Sequence, residues 1–175
     1  MKQGGGRKKG NRFELKVAKL IGMWWHGKPF RRVPCSGGWD KKMAPGDVMS
    51  EDADFPFSIE CKNRMNWTME TILRGSCSEF NSWWKQCLED ASHSGKWPML
   101  IFKRNQIPEY IAVWEYQWDK LVEAGAECSP FARYMIVHQP VPSHVDKPPH
   151  SAVRIMRLDK FLKVVSPEIV KLATE

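Results

Sequence analysis

The chain has no apolar run approaching the roughly 20 residues that a membrane-spanning helix needs. Its basic N-terminus also lacks the apolar core of a secretory signal. These absences exclude a helical membrane protein and point away from export. The five cysteines (Cys35, Cys61, Cys77, Cys87 and Cys128) are odd in number and show no Cys-x-x-Cys spacing. That argues against a disulfide framework or a zinc site and for a reducing cytoplasm. The five histidines are equally scattered, so no histidine-rich metal cluster is expected. Acidic residues are scarce at the front: residues 1–42 hold only Glu14 and Asp40 against 12 Lys and Arg, a formal +10. The whole chain carries +7, so the remainder carries −3. Such asymmetry suits a polyanion, nucleic acid ahead of an anionic membrane surface, because no amphipathic helix pairs a strong apolar face with the basic segment.

Directly after this basic region comes Gly46-Asp47-Val48, and then Ile59-Glu60-Cys61-Lys62. Phe57 to Lys62 reads as a short strand of apolar, β-favouring character. Alternation puts Ser58, Glu60 and Lys62 on one face and sends Phe57, Ile59 and Cys61 into a core. The turn-rich run Ser50 to Pro56 can fold this strand back onto one beginning near Asp47, which brings Asp47 beside Glu60. Two carboxylates held together repel unless a cation or proton joins them. Hard oxygen ligands suit Mg²⁺ or Mn²⁺, with positions left for water and a substrate phosphate. Lys62 adds a compact positive charge that can orient an attacking water or offset charge on phosphoryl oxygens. The chemistry implied is metal-assisted hydrolysis of a phosphodiester.

A string of this kind is common by chance, and Glu14-Leu15-Lys16 repeats Glu-x-Lys within the same chain. That copy lies in a helical pattern (Phe13, Val17, Leu20, Ile21, Trp24), where residues two apart do not face each other. Strand context therefore carries the information. Asn11 is placed to cap this first helix, with Glu14 at capping-box spacing; a functional reading makes Glu14 a further carboxylate of the site. Arg31-Arg32 sit between apolar Phe30 and Val33, unlike a solvated tail. Ser36-Gly37-Gly38-Trp39 offers a hydroxyl and unhindered backbone N–H groups for the close approach of a phosphate.

The order Gly10-x-Arg12-x-Glu14, Arg31-Arg32-x3-Ser36-Gly37-Gly38, Gly46-Asp47-Val48 and Ile59-Glu60-Cys61-Lys62 resembles the PD-(D/E)XK nuclease superfamily. Within it the order is most similar to Holliday junction resolvases of the archaeal and phage Hjc type. The likeness covers about residues 10–105 and departs at Gly46, which stands where the family name has Pro. The resemblance implies a restriction-endonuclease-like α/β fold, a mixed central sheet flanked by helices. It implies Mg²⁺ (with Mn²⁺ also able to support activity) held by Asp47, Glu60 and the Cys61 backbone carbonyl, and Glu14 reaching the same site. Lys62 would position or activate water. Arg12, Arg31, Arg32 and Ser36, with Lys8 and Lys9 of the basic arm, would hold DNA. Family members act as homodimers on branched DNA, cutting opposed strands of a four-way junction.

At 175 residues one domain is expected, with residues 1–9 a flexible basic arm and 140–150 a Pro-rich surface loop. Phe80 to Ala91 reads as a helix capped by Ser78 and ended by Ser94-Gly95. Gln86 on it reads as a solvent-facing residue, the commoner case, whereas the resemblance implies a polar residue there that helps align the site. Met99 to Phe102, Tyr110 to Trp114 and Tyr134 to Val137 read as buried strands, and Val153 to Met156 as an edge strand. Leu158 to Val165 reads as helical, and Ser166-Pro167 opens a last helix. Of the nine tryptophans, most suit packing, and Trp39 and Trp67 are the candidates for stacking on exposed bases. Two other readings remain open at the sequence level. One is a nuclease of this superfamily acting on linear, flap or single-stranded DNA. The other is a basic accessory protein that binds without hydrolysis.

Overall fold

The structure is a computed structural model that describes residues 5–33, 46–127, 133–140 and 151–175. Its order is α1 (Gly5–Trp24), β1 (Phe30–Arg32), β2 (Val48–Ser50), β3 (Phe57–Asn63), α2 (Met69–Leu73) and α3 (Ser78–Ser94). There follow β4 (Trp97–Lys103), β5 (Tyr110–Trp114), α4 (Glu115–Glu123), β6 (Tyr134–His138), β7 (Ala152–Arg157), α5 (Leu158–Val164) and α6 (Pro167–Thr174). The strands form one seven-stranded sheet in the order β1-β2-β3-β4-β5-β7-β6. It is mixed: β3 and β4 run parallel, from Phe57 opposite Trp97 to Asn63 opposite Lys103, and the other pairings are antiparallel. A parallel pair needs a crossover, and α2 with α3 supplies it.

The central strands β3, β4, β5 and β7 bury both faces, and their alternation divides the core in two. Phe57, Ile59 and Cys61 of β3 and Met99 and Ile101 of β4 pack with Phe13, Val17 and Ile21 of α1 and with residues of α4, α5 and α6. Leu100 and Phe102 of β4 pack on the opposite side with Phe80, Trp83, Trp84 and Cys87 of α3. This helix–sheet–helix layering is the mixed, restriction-endonuclease-like α/β architecture expected. The helix end at Gly95 (φ 65°) and the Ser166 cap, which accepts from Ile169 N at 3.3 Å, also match the sequence reading.

Four local expectations are corrected. The first helix begins at Gly5, so Asn11 lies inside it and forms no capping box with Glu14, and residues 5–9 belong to the helix instead of an arm. Arg7, Lys8 and Lys9 are good helix formers and let α1 extend upstream of its apolar face. The start of α3 is capped by the Cys77 backbone position, not by Ser78. The third and fourth corrections are linked: β7 is interior, between β5 and β6, and β6 is the edge. Tyr134 on β6 is 54% exposed, while Arg154 of β7 is buried, pairing with Glu115 and lying over the Trp118 and Tyr134 rings. Most of the Pro-rich segment, residues 141–150, lies outside the described residues. Among the described residues, no helix is long and apolar enough to cross a membrane.

Candidate active site

Asp47 is placed by backbone before its side chain acts. Its N–H donates to Ile59 O at 2.7 Å and its carbonyl accepts from Val33 N at 2.9 Å, so the residue is clamped between β3 and the end of β1. Gly46 makes that clamp possible. Its φ is +80°, and a Cβ there would stand 2.4 Å from Ile59 O. Only glycine fits both the left-handed backbone and the close approach. The departure from the Pro of the family name is thus a local requirement of this chain. Asp47 is 7% exposed, and its Oδ2 accepts from Cys61 N at 2.9 Å.

The β2–β3 pairing, with Val48 opposite Ile59, brings Asp47 and Glu60 into one electrostatic neighbourhood, as the hairpin reading anticipated. Glu60 is 2% exposed. Burial, reinforced by the Asp47 charge, pushes its carboxyl up to about 8 despite the nearby Lys62 ammonium. Lys62 Nζ stands 2.5 Å from the buried Glu60 Oε1, and its charge and hydrogen bond pull the Glu60 pKa down against the larger effect of burial. The same Nζ donates to Gln86 Oε1 of α3 at 2.9 Å. Gln86, for which the solvent-facing reading was the commoner expectation, therefore holds the lysine. Its distance in sequence from Lys62 hid this from the residue pattern, and the signal for it was the family resemblance, which implies a site-aligning polar residue on this helix.

Glu14 reaches the site from α1 and accepts a charge-assisted bond from Arg32 Nε. Burial raises the Glu14 pKa, the Arg32 bond opposes that, and the Asp47 charge adds to the rise. The lysine of that second Glu-x-Lys string goes elsewhere: Lys16 Nζ donates to Glu109 Oε1 at 2.7 Å. The Cys61 thiol is pushed well up by burial, which leaves it inert, and only its backbone belongs to the site.

The structure thus brings Glu14, Asp47, Glu60, Cys61, Lys62 and Arg32 together. Arg31 instead pairs with exposed Glu51 at 3.1 Å, and Lys8 and Arg12 lie on the exposed face of α1, with Lys9 half-buried beside them. Ser36, the glycine pair and Trp39 lie outside the described residues. Trp67 is not a stacking platform: it is 3% exposed and packs against Phe102, with ring centroids 5.0 Å apart.

The family model "Phage putative PDDEXK endonuclease" matches residues 5–171. The chain belongs to this PDDEXK endonuclease family. No curated protein and no solved structure matches it. PDDEXK nucleases use divalent metal ions, so the fit of this nuclease's site to one matters. Among the described residues, no three His, Cys, Asp or Glu side chains gather as a ready-made metal cluster. Each carboxylate has a protein neighbour in that place: Arg32 at Glu14, the Cys61 N–H at Asp47 and Lys62 at Glu60. The donor chemistry still fits a hard cation. A buried carboxylate whose ionisation is opposed by burial and by a second carboxylate beside it is relieved by a divalent ion with oxygen preference.

Proposed function

We propose that this nuclease is a Mg²⁺-dependent endonuclease that resolves four-way DNA junctions by phosphodiester hydrolysis. The observation that carries the reading is the buried Asp47–Glu60–Lys62 constellation, two carboxylates in one electrostatic neighbourhood with an ammonium 2.5 Å from the second. Asp47, Glu60 and the Cys61 carbonyl would hold Mg²⁺, with Glu14 as a further carboxylate; Mn²⁺ has the same ligand preference and should substitute. When bound, the ion supplies Lewis-acid stabilisation of the phosphoryl oxygens.

The remaining work falls to the chain's own groups. Lys62, held by Gln86, orients the attacking water and offsets charge building on the phosphoryl oxygens. Arg32 neutralises Glu14 in the DNA-free protein and stands ready for a backbone phosphate. Arg12, Arg31, Lys8 and Lys9, together with Ser36, would track the DNA backbone. Paired cuts on a four-way junction need two sites, so the active form is a homodimer. A phage enzyme with this substrate acts in the host cytoplasm.

The test is a panel of four-way junction, flap, linear duplex and single strand, each with and without Mg²⁺. Paired nicks confined to the junction, abolished by Asp47→Ala, are expected from a protein that sizes as a dimer. Equal cutting of linear duplex by a monomer overturns the junction reading and leaves a nuclease of broader substrate. Binding with no metal-dependent cleavage of any substrate overturns catalysis itself and leaves a basic accessory protein.

A further inference from the structure

The two parallel strands of the catalytic sheet end together, and what lies past their ends is not used by the hydrolysis described above. Asn63 is opposite Lys103 in the last register pair, and Arg64 N donates to Lys103 O at 3.1 Å. The chain leaving β3 runs from Lys62 through Arg64 and Met65 to Trp67. The chain leaving β4 brings Lys103 and Arg104 to the same place. Lys103 turns to Glu109 on the α1 side, with its Nζ 2.9 Å from Glu109 Oε1, so Arg104 is the cation that reaches the space beyond the strand ends, with Arg64 exposed on the turn.

A cavity of about 280 Å³ opens there, between this turn, α2 and the start of α3. Its floor is apolar, formed by buried Trp67 and Cys77. Met65, 50% exposed, stands at its rim. Arg104 supplies its positive charge: Nη1 donates to Trp67 O at 3.2 Å, and the guanidinium carbon lies 5.8 Å from the Trp67 ring centroid. Thr68 and Thr71 use their hydroxyls to cap α2, Ser76 Oγ donates to Thr71 O, and Glu79 Oε2 accepts from Ser78 Oγ at 3.2 Å, so the polar groups left to a ligand are the Asn66 amide, the other Glu79 oxygen and the Arg104 guanidinium. An apolar floor, an amide and a carboxylate for a base edge, and a guanidinium for a phosphate make a set of contacts that suits a nucleotide held by its edge and phosphate, without stacking on Trp67.

Position decides which nucleotide. Met65 is three residues beyond Lys62, within about 11 Å even for a fully extended chain. That is the reach of the nucleotide beside the scissile phosphate or the one after it. A base in a continuous duplex is stacked and cannot enter a cavity, whereas a base at a branch or flap is already unstacked. We infer that this cavity receives one unpaired nucleotide next to the scissile phosphate, and that it gives the enzyme its preference for DNA with an unstacked base near the cut. The inference rests on the nuclease reading for its substrate but not for its site, which is separate from Asp47, Glu60 and Lys62.

The test uses the full chain in metal-free buffer, with a duplex carrying a single unpaired 2-aminopurine at a branch and a fully paired duplex of equal length. The native protein should prefer the first by about tenfold, the worth of one charge-assisted hydrogen bond to the nucleotide, and its binding should change 2-aminopurine fluorescence. Ser76→Trp, at the mouth of the cavity, should bring the preference close to one. Arg104→Gln should reduce it in part, and it serves as the probe should Ser76→Trp fail to show a native melting transition. An unchanged preference in a folded variant overturns the cavity proposal, as does equal weakening of both duplexes. The two readings fail separately. Preferential binding with no Mg²⁺-dependent cleavage of any DNA removes the nuclease reading alone. Cleavage with a preference unaffected by either variant removes the cavity proposal alone.

Discussion

Glu60 shows how one residue trades stability for chemistry. Its carboxyl is pushed up to about 8 in the fold by burial and by Asp47, against an ordinary value of 4.5 in the unfolded chain. A raised pKa contributes stability that is full below about 4.5 and is lost as pH rises through about 8. Metal-free protein should therefore melt at progressively lower temperature from pH 5 to pH 9. Glu60→Gln should flatten that decline while abolishing Mg²⁺-dependent cleavage. A decline as steep in Glu60→Gln as in the native protein, followed by calorimetry at each pH, would place the alkaline sensitivity elsewhere. Gln86 makes the complementary case. Its carbonyl is the hydrogen-bond acceptor for the Lys62 ammonium. Such charge-assisted bonds contribute about 1.5–3 kcal/mol, so Gln86→Ala should slow single-turnover cleavage by about tenfold to a hundredfold. DNA affinity should change little, because Gln86 touches the lysine and no predicted phosphate contact. The sequence showed Glu60 and Lys62 clearly, since strand alternation is local. The residue pattern could not show Gln86 as their partner, because 24 residues and a crossover separate it from Lys62.

At the level of elements, the β2–β3 hairpin was legible and the ends of α1 and the sheet were not. Ser50 to Pro56 is dense in turn formers, which act locally and so announce themselves. The start of α1 was hidden because Asn11 and Glu14 mimic a cap, although good helix formers precede them. The exchange of edge and interior between β6 and β7 was hidden because the burial of Arg154 depends on Glu115 across 39 residues. Gly46 carries the most local demand. Gly46→Ala puts a Cβ 2.4 Å from Ile59 O at a left-handed backbone position. Overpacking of this order costs about 1–3 kcal/mol, and it acts on the turn that aims Asp47. A melting point lower by several degrees and loss of cleavage are expected together; full activity in Gly46→Ala would mean that Asp47 does not depend on this turn.

A second elemental tie is Glu109, which accepts from Lys16 of α1 at 2.7 Å and from Lys103 of β4 at 2.9 Å. Burial opposes ionisation of Glu109, but the two lysine bonds outweigh it and hold the carboxyl at about 2. A depressed pKa contributes stability present above about 4.5 and lost as pH falls through about 2. Glu109→Gln should then be less stable at neutral pH by about 1 kcal/mol, solvent screening having reduced the Coulomb value. The difference should close in urea titrations below pH 3. A constant gap across that range would assign the effect to packing instead.

Across the whole molecule, the charge split seen in the sequence acquires a surface. Lys8, Arg12, Lys16 and Lys19 all lie exposed on one side of α1, and Glu14, the helix's one acidic residue, turns away to Arg32. Basic residues crowd the N-terminal half of α1, where the helix dipole is already positive, and an anionic partner relieves that cost. The carboxylate site and the basic face thus share a helix, Glu14 pointing inward and the cations outward, and on the function proposed above a DNA backbone would lie along that basic face. This predicts a division of labour that salt can measure. The logarithm of DNA affinity should fall linearly with the logarithm of salt concentration. Lys8→Ala with Arg12→Ala should reduce the slope by about two, one counterion for each phosphate that the variant leaves without a cation. Asp47→Ala should leave the slope as it is, since it removes no cation. An unchanged slope in the double variant would move the DNA track off α1 and onto the cations beyond β3 and β4, where Arg64 and Arg104 would then carry the dependence.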